Sequence, residues 1–280
     1  MARIRVVTDS ACDLTTELTE GRDLAVVPLT IRFGDQEFVD RSELSPAQFW
    51  SRCAESPVLP ETAAPSPGAF QESFEAAAQD GCDGVACITL SGGVSATVQA
   101  ARTAADAVSG RIAVRVIDSR SLTVGLGLLV IEATDLAATG AGLDEVADRV
   151  ESLVPHMIVY GVVDTLEHLE KGGRIGGARA LLGSLLSIKP VLAVVGGVVE
   201  EESKQRTRSR SLRYLADKVR AAPPIRRLAV ANGAAPDIGE FLALLDGVKS
   251  EFPIVVSDLG PVVGTHAGPG TIGVCILPVI

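Results

Sequence analysis

Val85-Ala86-Cys87-Ile88-Thr89-Leu90-Ser91-Gly92-Gly93-Val94-Ser95-Ala96-Thr97 carries an apolar, β-rich run through a Gly/Ser turn into a helical stretch. Val85 to Thr89 reads as a strand and Ser95 to Val108 as a helix. The same alternation follows downstream, with a strand at Val114 to Ile117 and a helix from Leu122 to Ala138. Upstream it includes a strand at Ile4 to Thr8, a short helical stretch near Thr15 to Glu20, and a second strand region from Leu24 to Phe33. Two more helices mark their own starts. Ser45-Pro46 with Gln48 is a capping-box arrangement, and Ser66-Pro67 opens a helix through Gln79. Apolar strands joined by helices predict a parallel sheet covered on both faces.

In such sheets ligands bind beyond the carboxyl ends of the strands. Three of those ends carry small hydroxyls or carboxylates: Thr8-Asp9-Ser10, Thr89-Leu90-Ser91 and Ile117-Asp118-Ser119. Capping of the following helix and contact with a ligand are both open to them. Near residue 155 the composition shifts. Met157 to Val163 leads into Lys171-Gly172-Gly173-Arg174-Ile175-Gly176-Gly177, then an Ala/Leu helix to about Leu186 and an apolar strand from Pro190 to Val195. Strands at Leu228 to Ala231, Ile254 to Ser257 and Thr271 to Leu277, with a helix near Asp237 to Val248, complete the chain. The expectation is an α/β domain over 1–155 and an α+β domain over 156–280, with a strand crossover between them left open.

Composition narrows the function classes. Of 280 residues, 47% are hydrophobic and only 4% aromatic, so disorder is excluded and the apolar content is nearly all aliphatic. A net charge of −10 argues against broad affinity for nucleic acid or anionic membrane. The longest apolar stretches, Leu122 to Ile131 and Val191 to Val199, are too short to span a bilayer, and Arg3 interrupts any signal-peptide core. Cys12, Cys53, Cys82, Cys87 and Cys275 form no CxxC pair, which fits a reducing cytoplasm rather than a disulfide framework or zinc ribbon.

Familiar catalytic signatures are missing: no P-loop, no G-x-S-x-G elbow, no H-E-x-x-H, and no metal-ligand spacing among His156, His168 and His266. Gly268-Pro269-Gly270-Thr271-Ile272-Gly273 matches G-x-G-x-x-G literally. It lacks a following helix and the acidic residue about 20 positions on, so a dinucleotide site is rejected. What survives is a set of lone polar groups in apolar or Gly-rich settings: Thr62, Ser95 and His266. Glycines let backbone approach a ligand, and hydroxyls at helix starts suit an anion. Helix capping for the hydroxyls and a satisfied imidazole for the histidine are the alternatives.

Together these stretches resemble the DegV family, fatty-acid-binding proteins that serve as lipid-carrying subunits of bacterial fatty acid kinase. The resemblance runs through Val7-Thr8-Asp9-Ser10, Thr62 to Ser66, Leu90 to Thr97, Val116-Ile117-Asp118-Ser119, Lys171-Gly172-Gly173-Arg174-Ile175, Ile188-Lys189-Pro190 and His266 to Gly273. It implies a long-chain fatty acid bound between the two domains, its carboxylate held by Thr62, Ser95 and His266, with Arg174 at the head-group opening. It implies no cofactor and no catalytic residue. A partner ATP-dependent kinase would phosphorylate the carboxylate to an acyl phosphate, feeding phospholipid synthesis. The chain departs from the family where members often read T-S-Q-P and it reads Thr62-Ala63-Ala64-Pro65.

The physics is compatible. A tail of about 15 methylenes at ~0.8 kcal/mol each gives a gross transfer term of roughly 12 kcal/mol, from which ordering and association costs are subtracted. Residues 200–227 hold nine basic and four acidic side chains in an otherwise acidic chain. Arg206, Arg208, Arg210 and Arg213 cluster there, a candidate docking surface for an acidic partner as well as an ordinary solvated face. The chain is read as a monomer. A competing class is a self-sufficient hydrolase or phosphotransferase using Ser95 and His266.

Overall fold

In the computed structural model, which describes residues 1–280 apart from the side chains of 183–187, the expected alternation resolves into three sheets. The first part of the chain runs β1 (Ile4–Asp9), α1 (Thr16–Thr19), β2 (Leu24–Val27), β3 (Thr30–Phe33), β4 (Gln36–Val39), α2 (Pro46–Glu55), β5 (Glu61–Ala63) and α3 (Pro67–Gln79). It continues through β6 (Gly84–Thr89), α4 (Thr97–Val108), β7 (Ala113–Asp118), α5 (Thr123–Ala137) and α6 (Leu143–Leu153). Then come β8 (Ile158–Val162), α7 (Glu167–Lys171), β9 (Lys189–Val195), β10 (Val198–Gln205) and α8 (Arg208–Arg220). The last elements are β11 (Ile225–Gly233), α9 (Ile238–Leu244), β12 (Val255–Asp258), α10 (Pro261–Ala267) and β13 (Thr271–Pro278).

The parallel sheet has the order β2-β1-β6-β7. Every residue of β6 is buried, which explains its continuous apolar run. α3 and α4 cover one face through Phe70, Phe74, Ala101 and Val108, and α5 with α6 covers the other. Residues 158–278 build a six-stranded sheet, β10-β9-β8-β13-β11-β12, antiparallel except for the β11–β12 pair. A small antiparallel sheet, β4-β3-β5, was not anticipated. It arises because the second strand region breaks at Pro28-Leu29, where β2 joins the parallel sheet and β3 leaves it.

The greasy stretch after Leu122 now has its reason. α5 is buried without interruption from Thr123 to Thr134, and a helix apolar all round must be covered all round. It packs on β1 and β6 of the parallel sheet and on β11 and β13 of the six-stranded one. At its far end Glu132, 4% exposed, accepts hydrogen bonds from Arg226 Nε at 3.0 Å and Arg227 Nε at 2.5 Å, tying the helix to β11. At its near end Thr123 sits at φ 49°, unusual for a β-branched residue. Its hydroxyl donates to Asp13 Oδ2 at 2.6 Å.

Several boundaries differ from expectation. The helix read from Ser95 starts at Thr97, with Ala96 as its cap. The Ala/Leu helix is a 3-10 stretch, Gly176–Ser187. α6 and β10 went unread, as did α10, whose valines, threonine and glycine are poor helix formers. Pro261 at its first position starts α10. Gly264 lets it lie against Phe49 and Trp50, since a Cβ there would meet their rings at 2.8–2.9 Å.

Candidate functional site

Four side chains from four parts of the chain converge. Thr62 is on β5, whose register sets it opposite Ile31. Ser95 lies on the loop leaving β6, His266 in the last turn of α10, and Arg174 just after α7. All four line one cavity of about 260 Å³, and all are half-buried. The rest of the wall is mostly aliphatic, with Leu29, Leu90, Val94, Leu122, Val163, Leu192, Val199, Leu259 and Val262 among its residues.

The loop carrying Ser95 is clamped from both sheets. Ser91 Oγ donates to the Gly197 carbonyl at 2.6 Å, at the tip of the β9–β10 hairpin. Gly93 lies so close to that tip that a Cβ would come within 2.7 Å of the Gly197 oxygen. Gly92 N–H donates to Asp118 Oδ1 at 3.1 Å. Ser95 Oγ pairs with Thr97 Oγ1 at 2.8 Å and accepts from the Thr97 N–H at 3.3 Å, a local turn in place of the capping alternative, since Ala96 is the cap residue of α4. The capping alternative for Thr62 also falls away, because Ser66 caps α3 by accepting from Ala69 N–H.

Thr62 Oγ1 and His266 Nε2 are 2.9 Å apart across 204 residues of sequence. The other ring nitrogen, Nδ1, has no partner among the described residues and faces Gly172, where a Cβ would collide with it. Burial, the Arg174 guanidinium and nearby His168 push the His266 pKa down to about 4, so the imidazole is neutral at physiological pH. Arg174 donates from Nε to the Val94 carbonyl at 3.1 Å and from Nη1 to the Gly172 carbonyl at 2.6 Å. It thus bridges the Ser95 loop to the turn after α7 while lining the cavity. A second cavity of about 400 Å³ shares Thr62, Arg174 and His266 with the first and adds His168, Lys171 and Gly172. The three shared residues stand where the apolar chamber meets a polar antechamber. Sequence reading missed His168 and Lys171, which carry no signal of their own.

The arginines at 206–213 lie elsewhere and line neither cavity. Arg208 is committed to Asp237, with two nitrogens at 2.9 Å from the two carboxylate oxygens, and reaches Asp164 at 3.4 Å. Arg206, Arg210 and Arg213 are exposed and make no ion pair among the described residues. Arg226 and Arg227, part of the same basic segment, are consumed by Glu132, Asp135 and Glu251.

Chemically, the convergent groups are hydroxyls, a neutral imidazole and one guanidinium at the end of a greasy chamber. They can replace the water around an anionic head group whose apolar body lies inside. Among the described contacts Ser95 and His266 share no hydrogen bond: Ser95 Oγ pairs with Thr97 and His266 Nε2 with Thr62. Among the described residues no helix is long and apolar enough to cross a membrane.

Fold and site together define an α/β protein that encloses an aliphatic chamber with a polar mouth. The family model described as "Uncharacterised protein, DegV family" matches residues 3–279, and the chain belongs to that family. A DegV domain-containing protein of Streptomyces coelicolor is 35% identical, with 98% of each chain covered. Among solved structures, a fatty-acid-binding DegV family protein from Thermus thermophilus superposes with a TM-score of 0.89 at 32% identity, covering 99% of this chain and 100% of its own. DegV from Bacillus subtilis, a fatty acid binding protein, gives 0.85 at 28% identity, with 99% of both chains covered.

Proposed function

We propose that this protein binds a long-chain fatty acid in the aliphatic cavity and holds its carboxylate with Thr62, Ser95 and His266. The observation that carries the reading is the gathering of the polar groups at one end of an otherwise aliphatic chamber. The fatty-acid-binding relatives of the same fold support it. Arg174 steadies the Ser95 loop and supplies a positive charge at the mouth. The carboxylate is presented there to a partner ATP-dependent kinase, which converts it to an acyl phosphate for phospholipid synthesis; the protein itself performs no chemistry and needs no cofactor. Docking falls to Arg206, Arg210 and Arg213, since Arg208 is held by Asp237. The acid lies between the domains of residues 1–155 and 156–280.

Organic extraction of the purified protein followed by mass spectrometry tests the ligand class. A stoichiometric long-chain fatty acid is expected, with Ser95→Ala and His266→Ala retaining less. An empty protein, or unchanged lipid content in both variants, overturns the ligand or the residue assignment respectively.

A further inference from the structure

Two glycines in the middle of the six-stranded sheet have no structural reason to be glycines. Gly161 on β8 and Gly273 on β13 are register partners, and both line the 260 Å³ cavity. Neither adopts a positive φ. A Cβ at Gly161 would meet nothing nearer than the Ile272 carbonyl oxygen at 3.9 Å, and one at Gly273 would touch Ala231 Cβ at an ordinary 3.5 Å. Contrast Gly125, where a Cβ would lie 2.6 Å from Ser121 Oγ. A glycine inside a strand weakens the sheet, and an open one keeps space for something other than the fold.

The position of that space along the strands gives it meaning. His266 and Thr271 precede Gly273, and Val163, Leu169 and Arg174 follow Gly161, so the polar mouth lies beyond this end of the antiparallel pair. Same-face residues recur about every 6.7 Å along a strand. One such step past the glycines stand Val159 and Cys275, register partners of each other. Here α5 comes down onto the sheet: a Cβ on Gly125 would be 3.1 Å from Val159 and 3.2 Å from Cys275. The chamber over this part of the sheet therefore closes one step beyond Gly161 and Gly273.

We propose that Gly161 and Gly273 set the length of acyl chain that the cavity accepts, by leaving bare backbone as the floor beneath the buried end of the tail. The proposal rests on the acyl reading of the cavity given above. Side chains at these positions would take the volume of the terminal methylenes and leave the head-group contacts untouched. Each methylene excluded removes about a fourfold share of affinity.

The purified protein and its Gly161→Val and Gly273→Val variants are offered an equimolar mixture of lauric, myristic, palmitic and stearic acids, and the retained acids are quantified by mass spectrometry. The expected result is a fall of about tenfold or more in the stearic-to-lauric ratio in both valine variants, with smaller falls for Gly161→Ala and Gly273→Ala. Thermal unfolding followed by circular dichroism checks the fold, and if a valine variant fails to fold, the alanine variants decide. An unchanged ratio overturns the proposal, as does an equal loss of all four acids. If the wild-type protein retains no fatty acid, the acyl reading itself fails and this proposal falls with it.

Discussion

His266 is held where protonation is unfavourable, with its pKa near 4 from burial, from the Arg174 guanidinium and from nearby His168. A carboxylate arriving beside it opposes both neighbours and raises that pKa. Affinity for the anion should therefore increase as pH falls through the raised value, because binding takes up a proton. Followed by NMR, the imidazole should titrate near 4 in the lipid-free protein and higher with palmitate bound; identical titrations would place the carboxylate elsewhere. At this scale the sequence was partly legible. Thr62, Ser95 and His266 stood out as lone polar residues among apolar and glycine neighbours, but a 2.9 Å contact across 204 residues has no local signature. Arg174 was recognisable by its motif. Its grip on the Val94 and Gly172 carbonyls was not, since a side chain bonding to backbone leaves no pattern in residue types.

α5 holds its place through more than apolar contact. Glu132 is buried and faces two arginines, so removing it leaves Arg227, only 9% exposed, without its closest counter-charge. Glu132→Ala should lower stability by about 3–5 kcal/mol, read from the denaturant midpoint, because a buried charge stripped of its partner is costly. A loss below 1 kcal/mol would mean that Asp135, which also pairs with Arg227 at 2.6 Å, suffices. Elements with a strong period or a clean apolar run were readable: β1, β6, β7, α3, α4 and α5. β10 was not, because Glu200-Glu201-Glu202-Ser203-Lys204 on an edge strand has little to bury. α10 was hidden by β-branched residues and glycine, whose helix is enforced by packing on Phe49 and Trp50 rather than by propensity.

Across the whole molecule, a net charge of −10 coexists with a basic segment, much of which is spent internally. Arg206, Arg210 and Arg213 remain exposed. If the proposed acidic kinase partner docks there, Arg206→Glu together with Arg210→Glu should slow its association at least tenfold at low ionic strength while leaving any co-purified fatty acid unchanged. Stopped-flow association rates equal to wild type would move the docking surface elsewhere. The fold class was legible because alternation of strand and helix is a long-range pattern written in short-range periodicity. The shared packing of α5 was not, since the run that builds it reads the same whether one sheet or two will cover it.

That shared helix also decides how the molecule can be divided. A cut near residue 155 leaves α5 with the parallel sheet but takes away β11, β13 and the arginines that neutralise Glu132. The amino-terminal piece would then offer water a bare aliphatic flank and an unpaired acid, and the carboxyl-terminal piece a sheet with one naked face. The two regions that look separable in sequence share one buried cluster around α5, and the aliphatic cavity draws its wall from both.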